Sequence, residues 1–475
     1  MMEVIESFVV LLELLSPCFT LPTFSTFTLI MSGLVLSHRH RYITDAVITT
    51  GSTRRGHHSK FHRFFSHAAW SLDQVSFALT LLLLRYFVPL GVIHIAVDDT
   101  LRRRRGLSLF GAGMHYDPLM SSRSKRIVNW GHCWVVVSIV VGDFPWAPGK
   151  YWSLPILFRL YRNLQGKTKG KKTVKVVKGT PKGGQGLPRK VTLKNPVEIT
   201  PPLEHRTKPE LAVELITLLA SWLPDREFLL AGDSAYGGAS VAKHLPSNIN
   251  LISRAHAKAV LYAVAPPPTP GKKGPPRKRG DRLPTIMDWA NDATKPWESM
   301  TFNQYGLHAQ ILVKTCQALY YTTVGQRLVT IVLSRDKVGG RPDQVFYCTD
   351  LNLKPREILS TYATRWSIEV TFENSKQLLG FGDAANRLPL AVERTAPMSM
   401  VLYSLTVLWF HRTGHQLVQF PDRPWYKKKQ TPSFADMLST LRRESLLRQL
   451  HRVLKNTRVD ETQIAQLVDL LTLAG

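Results

Sequence analysis

Val92-Ile93-His94-Ile95-Ala96-Val97-Asp98-Asp99-Thr100 is an apolar strand that runs straight into two carboxylates. Unpaired charge at the mouth of a buried strand is costly, so acids placed there need a compensating partner. A second stretch repeats the pattern, since Phe228 to Gly232 is apolar and delivers Asp233. Between the two, the sequence predicts a strand near Leu107 to Met114 and a strongly apolar one over Cys133 to Val141. A helix follows from Thr207-Lys-Pro-Glu210 to Leu223, opening on a capping-box pattern with Pro in its first turn. Asn250 to Ser253 forms a further short strand.

Strand, strand, strand, helix, strand, helix and then an acid-bearing helix is the order of a ribonuclease H-like domain. In such a sheet the first and fourth strands lie side by side, which brings Asp98 and Asp233 to one edge. The third acid, Glu369, sits on a helix that opens near Lys354-Pro-Arg-Glu and carries Tyr362 to Lys376. At about 100° per residue, Tyr362, Arg365, Glu369 and Lys376 project within roughly 60° of one another. Surface pairing of Arg365 with Glu369 at i,i+4 accounts for two of them. It leaves Trp366 and Glu373 on the same stripe without a reason. Hard divalent cations such as Mg²⁺ take oxygen ligands and keep waters for substrate phosphates, so they suit such acids. Asp98 and Asp99 both remain candidates for the first acid, because one residue along a strand flips the face.

The spacing Tyr362-x2-Arg365-x3-Glu369-x6-Lys376 resembles the YREK signature of DDE transposases from a large superfamily of bacterial insertion sequences. VDDT around Asp98, LAGDSAYGG around Asp233 and a β-strand insertion between Asp233 and Glu369 resemble the same family, over about residues 20 to 412. The resemblance implies that Asp98, Asp233 and Glu369 hold two Mg²⁺ ions, for which Mn²⁺ substitutes. One ion would activate water or a 3′-hydroxyl, and the other would stabilise the leaving oxygen. It also implies that Tyr362, Arg365 and Lys376 grip phosphates beside the scissile bond, Arg365 by a bidentate contact and Lys376 as a point charge. Glu373 lies one turn further along, but only Glu369 satisfies both flanking spacings. The implied partners are double-stranded DNA, as inverted-repeat ends of its own element and as target, and a second copy of the chain on that DNA. Arg254, after the next strand, either contacts DNA or caps the sheet. Trp297 is either a core or loop residue, or stacks on an unpaired base as an insertion-domain Trp does in that superfamily.

The fold class expected is therefore α/β: a ribonuclease H-like catalytic domain with a mixed five-stranded sheet flanked by helices, interrupted by a β-strand insertion and preceded by an N-terminal helical domain. Residues 1–88 read as helices, with Phe8, Leu11, Leu12 and Leu15 at helical spacing and further helices over Phe24 to Leu36 and Leu72 to Tyr86. A basic, His-rich segment from Arg39 to Arg63 lies among them. This region is either a DNA-binding domain or a packing domain with a solvated charged face. The catalytic domain spans 89–255 and 351–415, around a basic linker and β insertion over 256–350. Strands are predicted there at His308–Val313, Leu319–Thr323, Leu328–Leu333 and Gln344–Cys348. The acid-free stretch from Leu164 to Pro196 holds nine lysines and Arg189 among Gly and Pro, and reads as a DNA-seeking loop. A C-terminal helical region, 416–475, carries the basic knot Trp425-Tyr-Lys-Lys-Lys429.

Composition agrees with a polyanionic partner. With 475 residues the chain is long for one core, and 62 Lys plus Arg against 34 acids leave a net charge of +28. Nucleic acid is the first candidate for such a charge and an anionic membrane the second. The four cysteines lie far apart without metal spacing and read as thiols of a reducing compartment. The segment His57-His58-x3-His62-x4-His67 offers a metal site or, given Lys60 and Arg63 beside it, a DNA-facing surface. No membrane span is expected: Ser76 to Ile93 is broken by Arg85 and Pro89, and Trp134 to Val141 is far shorter than the ~20 residues needed. The acidic N-terminus does not suit an export signal, so a cytoplasmic, nucleoid-associated bacterial protein is expected. The rivals are a DNA-binding relative without catalysis and a nuclease of the same fold.

Overall fold

The structure, a computed structural model, describes residues 4–454 other than 39, 107, 123, 164–204, 268–274, 305–306, 338–339, 341 and 421–428, together with 464 and 468. The Lys-rich stretch 164–196 and the basic knot, apart from Lys429, lie outside the described residues. Five helices come first: α1 (Glu6–Glu13), α2 (Leu21–Leu36), α3 (Ile43–Thr49), α4 (Ser59–Ser66) and α5 (Leu72–Phe87). Each buries its apolar stripe, α4 through Phe61, Phe64 and Phe65, while its His and basic residues stay outside. Ser71 caps α5 by accepting from the Gln74 amide.

Next come β1 (Ile93–Arg103), β2 (Gly113–Tyr116), β3 (Val128–Phe144) and β4 (Ala147–Tyr161). They are followed by α6 (Lys208–Trp222), β5 (Phe228–Gly232), α7 (Ala239–Ala242) and β6 (Ile249–Ala255). At the centre β1 pairs antiparallel with β3 and parallel with β5, and β5 pairs parallel with β6. The outer edge of β3 carries both β2 and β4. The neighbouring of β1 and β5, expected from sequence, is observed, with Val97 opposite Gly232.

Two expectations are corrected here. The strand expected near Leu107 to Met114 begins, among the described residues, only at Gly113, as the short β2. The strand that completes this side is β4, which sequence reading passed over. Pro155 lies within β4 on its pairing with β3, where the register shifts and Ile156 stands as an extra residue. A bulge tolerates what a regular central ladder would not.

The insertion is also different from expectation. Its elements are α8 (Ile286–Asn291), β7 (Glu298–Gln304), β8 (Leu307–Leu319), α9 (Tyr321–Val324), β9 (Leu328–Asp336) and β10 (Gln344–Cys348). Leu319–Thr323 is thus a strand end followed by a helical turn, and β7 was not foreseen. These strands do not form a unit apart. β10 pairs antiparallel with β6, and β9, β8 and β7 follow in order, so among the described residues the mixed sheet has ten strands instead of five. The remaining helices are α10 (Pro355–Thr364), α11 (Ser367–Leu378), α12 (Pro389–Arg412) and α13 (Phe434–Leu454).

Among the described residues no helix is long and apolar enough to cross a membrane. All four cysteines are free, Cys133 and Cys348 buried and the other two half-buried.

Candidate active site

Alternation along β1 separates the two adjacent acids. Asp98 points to the junction of α10 and α11, where its Oδ2 accepts from Arg365 Nη1 at 3.1 Å. Asp99 points the other way, and its carboxylate accepts from Lys208 Nζ at 2.6 Å, Tyr236 OH at 2.8 Å and Cys133 Sγ at 3.2 Å. Consecutive strand residues face opposite sides of a sheet. Asp99 is therefore tied into the α6 side of the sheet, while Asp98 faces the acid-bearing helix.

Asp233 leaves β5 immediately beyond the residue paired with Val97, beside Asp98. Its Oδ1 accepts from the amides of Ala235 (2.8 Å) and Tyr236 (3.2 Å), closing a tight turn. The turn is pinned below by Ser253 Oγ donating to Asp233 O at 2.9 Å and by Tyr347 OH donating to Gly237 O at 2.6 Å. Gly237 is required, because a Cβ there would lie 1.9 Å from Ser253 Oγ. Tyr236, Ser253, Tyr347 and Lys208 were not singled out from sequence. Only the glycine pair in LAGDSAYGG hinted at so close an approach.

The third acid arrives by a broken helix. The single helix expected from Tyr362 to Lys376 is two, α10 and α11, with Arg365 and Trp366 at the joint. There the amides of Arg365, Trp366, Ile368 and Glu369 bond carbonyls three residues back, a tighter turn than an α-helix. The joint lets Arg365 reach two acids at once, Asp98 through Nη1 and Glu369 Oε1 through Nη2 at 3.0 Å. Its Nε is buried and, among the described residues, without a hydrogen-bond partner. Tyr362 lies under the same guanidinium, 5.8 Å from ring centre, and packs edge-on against Phe346.

Lys376 is not part of this group. It stands half-buried further along α11, where burial and the Arg102 charge lower its pKa. Arg102 and Arg103 there pair with Asp383 and Asp117, both at 2.7 Å. Arg254 is exposed near Tyr362, and among the described residues no carboxylate pairs with it. Trp297 packs between Lys314 (5.0 Å) and Arg335 (4.3 Å), and Arg335 is itself fixed by Asp343.

Electrostatics mark the Asp98 corner as short of positive charge. Burial pushes the Asp98 carboxyl up to about 7; Arg365 opposes this, and the charges of Asp233 and Asp99 add to it. A carboxyl in that condition keeps a proton near neutrality unless a further cation arrives. The donors present are all carboxylate oxygens, the type a hard divalent ion takes. Among the described residues, however, no three His, Cys, Asp or Glu side chains are gathered closely enough to hold a metal ion. Arg365 occupies the gap between Asp98 and Glu369.

Comparison with known proteins places the chain in a class. Residues 14–311 match the family described as DDE superfamily endonuclease, well over half of the sequence. The chain belongs to that family. The match includes Asp98 and Asp233 and ends before α10. Among solved structures, a piggyBac transposase synaptic complex with hairpin DNA aligns at a TM-score of 0.35 and 10% identity, over 98% of this chain and 74% of that one. No curated protein matches the sequence.

Proposed function

We propose that this endonuclease-family chain is a DNA transposase that cuts the ends of its own element and joins them to target DNA. The observation that carries the reading is Arg365 bonding Asp98 and Glu369 together at the edge where β1 and β5 deliver Asp98 and Asp233. Two acids distant in sequence, Asp98 and Glu369, are thus joined through one cation, with Asp233 at the end of the strand beside Asp98. The order β4-β3-β1-β5-β6, with the last two parallel to β1, supports a ribonuclease H-like core at the centre of the wider sheet.

Asp98, Asp233 and Glu369 would hold the divalent cations, Mg²⁺ or Mn²⁺, and two such ions supply charge stabilisation and an activated oxygen for in-line displacement at phosphorus. The chain's own groups prepare the site. The Asp233 turn and the Asp99 anchor fix the ends of β5 and β1, and Arg365 would have to leave the gap between Asp98 and Glu369 for an ion to be held there. Tyr362 and Arg254 flank the corner on the insertion side and would position the backbone, with Arg254 free to bond a phosphate oxygen. Arg365, with its unpartnered Nε, would exchange a carboxylate for a phosphate when charge is supplied from elsewhere. Lys376 would contact DNA further along, about 10 Å from Glu369 at 1.5 Å per helical residue. A dimer on DNA follows from the need to act on two ends.

The test is nicking and joining of a duplex carrying the element's inverted-repeat end. Asp233→Ala and Glu369→Ala should each abolish nicking in Mg²⁺ while duplex binding stays within about twofold of wild type. Undiminished nicking in either variant sinks the assignment. Nicking by the wild type without any joined 3′ end would leave a nuclease instead of a transposase.

A further inference from the structure

The basic stretch between α2 and α3 turns one cation inward. Arg41 lines a cavity of about 20 Å³ where α2, α3, α4 and α12 meet the loop after α11, and Arg104, just beyond β1, lines it too. Two guanidinium nitrogens of Arg41, Nε and Nη1, are buried and, among the described residues, have no hydrogen-bond partner. Leaving charged donors buried and unbonded is costly, so such a group calls for an acceptor. The loop after α11 presses on the stem of this side chain: Gly380 has φ +68°, and a Cβ there would collide with Arg41 Cβ.

Among the described residues no carboxylate lines this cavity. Its hydroxyls are committed, since Thr395 and Ser399 donate to the carbonyls of Ala391 (2.7 Å) and Ala396 (2.8 Å). Of the two acids near Arg41, Asp383 is held by Arg102 at 2.7 Å, and Asp45 forms no ion pair with Arg41 among the described residues. Positive charge therefore accumulates around the cavity. Burial holds Arg104 down to about 10, with the Arg102 charge adding to the effect and Asp383 opposing it. Burial and the Arg41 charge hold Arg442 down to about 9, and burial with the charges of Arg442 and Arg41 lowers His38. Room for one water-sized body excludes a phosphate group or an organic acid and admits a monatomic halide. Water would satisfy a donor, but it would leave the surplus of buried charge as it is.

We infer that this cavity is a binding site for a single chloride ion, held by Arg41 with Arg104 beside it. The ion fastens the N-terminal helices to α12 and to the loop after α11, the helix that carries Glu369. It supplies the negative charge that the wall lacks. The site is independent of whether the chain cuts DNA.

The experiment uses the full chain with bromide as the probe. Crystals of the wild type soaked in sodium bromide should show an anomalous scattering peak in the cavity, within hydrogen-bonding reach of Arg41, a readout that needs no variant to fold. In solution, potassium chloride is exchanged for potassium glutamate at constant ionic strength, glutamate being too large to enter. The wild type should melt about 2 °C higher in chloride, as expected when the native state alone binds the ion. Arg41→Gln should lose that difference. Thr395→Asp, which builds a carboxylate into the wall, should lose it as well, because the variant carries its own anion. Ordered density in the cavity without an anomalous signal would mean water only and overturns the inference. So does a chloride shift of equal size in wild type and Arg41→Gln, which would belong to ions on the basic surface.

Discussion

Arg365 is one positive charge shared by two carboxylates, and its removal tests the corner at the level of a single residue. Arg365→Ala leaves Asp98 buried without its nearest counter-ion, a loss of about 2 kcal/mol in the metal-free protein. The same change opens the space between Asp98 and Glu369. Mg²⁺ should therefore raise the melting temperature of the variant by more than it raises that of wild type. Equal shifts in the two proteins would show that Arg365 does not compete for the site. The two aspartates show how far sequence reaches at this scale. Both stand in VDDT, and alternation says only that they face apart. Which face meets Glu369 depends on α6 bringing Lys208 and the β5 turn bringing Tyr236 to Asp99, partners 109 and 137 positions away.

At the scale of elements, capping chemistry was legible because it is local. Thr207 accepts from the Glu210 amide while Glu210 bonds the Thr207 amide, as Thr-Lys-Pro-Glu predicts. Since α6 begins with Lys208, this cap also aims the ammonium that binds Asp99. Thr207→Ala should cost about 1 kcal/mol in thermal or urea unfolding. The break between α10 and α11 was not legible, because Arg365-Trp366-Ser367 contains no Gly or Pro, and tertiary contacts with Asp98 impose the tighter turn. β4 was missed for a related reason: Pro155 argues against a paired strand unless a bulge is known to receive it. A pH effect belongs to the loop after β1. His132 on β3 accepts from Arg104 Nε at 3.1 Å and its Nε2 donates to Phe110 O at 2.9 Å, so the folded site holds a neutral ring. Burial and the neighbouring guanidinium push its pKa down to about 4. The unfolded chain takes up that proton near 6.5, so stability is full above 6.5 and falls as pH drops towards 4. The difference is on the order of 3 kcal/mol. His132→Gln should flatten the dependence of melting temperature on pH across that window, and an unchanged dependence would assign the loss to other groups.

Across the whole molecule, the N-terminal helices and the sheet share one apolar core that runs from Val4 to Leu441. The helix α12 passes through it almost entirely buried and touches α1, α4, α5, β4 and α13. Polar ties follow the same route. Arg394 on α12 donates to the carbonyls of Ala68 (2.9 Å) and Trp70 beyond α4, and Arg442 on α13 donates to Val35 O at 2.6 Å at the end of α2. In the sequence, residues 1–88 stand apart as a helical domain because helical periodicity gives way to a strand at Val92. Periodicity does not report which apolar faces meet. Deleting residues 1–88 would uncover α12 and β4 and strip Arg394 and Arg442 of their acceptors, leaving buried cations unpaired. The truncated chain should therefore fail to give a cooperative unfolding transition, whereas the full chain should lose near-ultraviolet and far-ultraviolet circular dichroism together. A shortened protein that melts cooperatively near the full-length temperature would show that the helices are a detachable module.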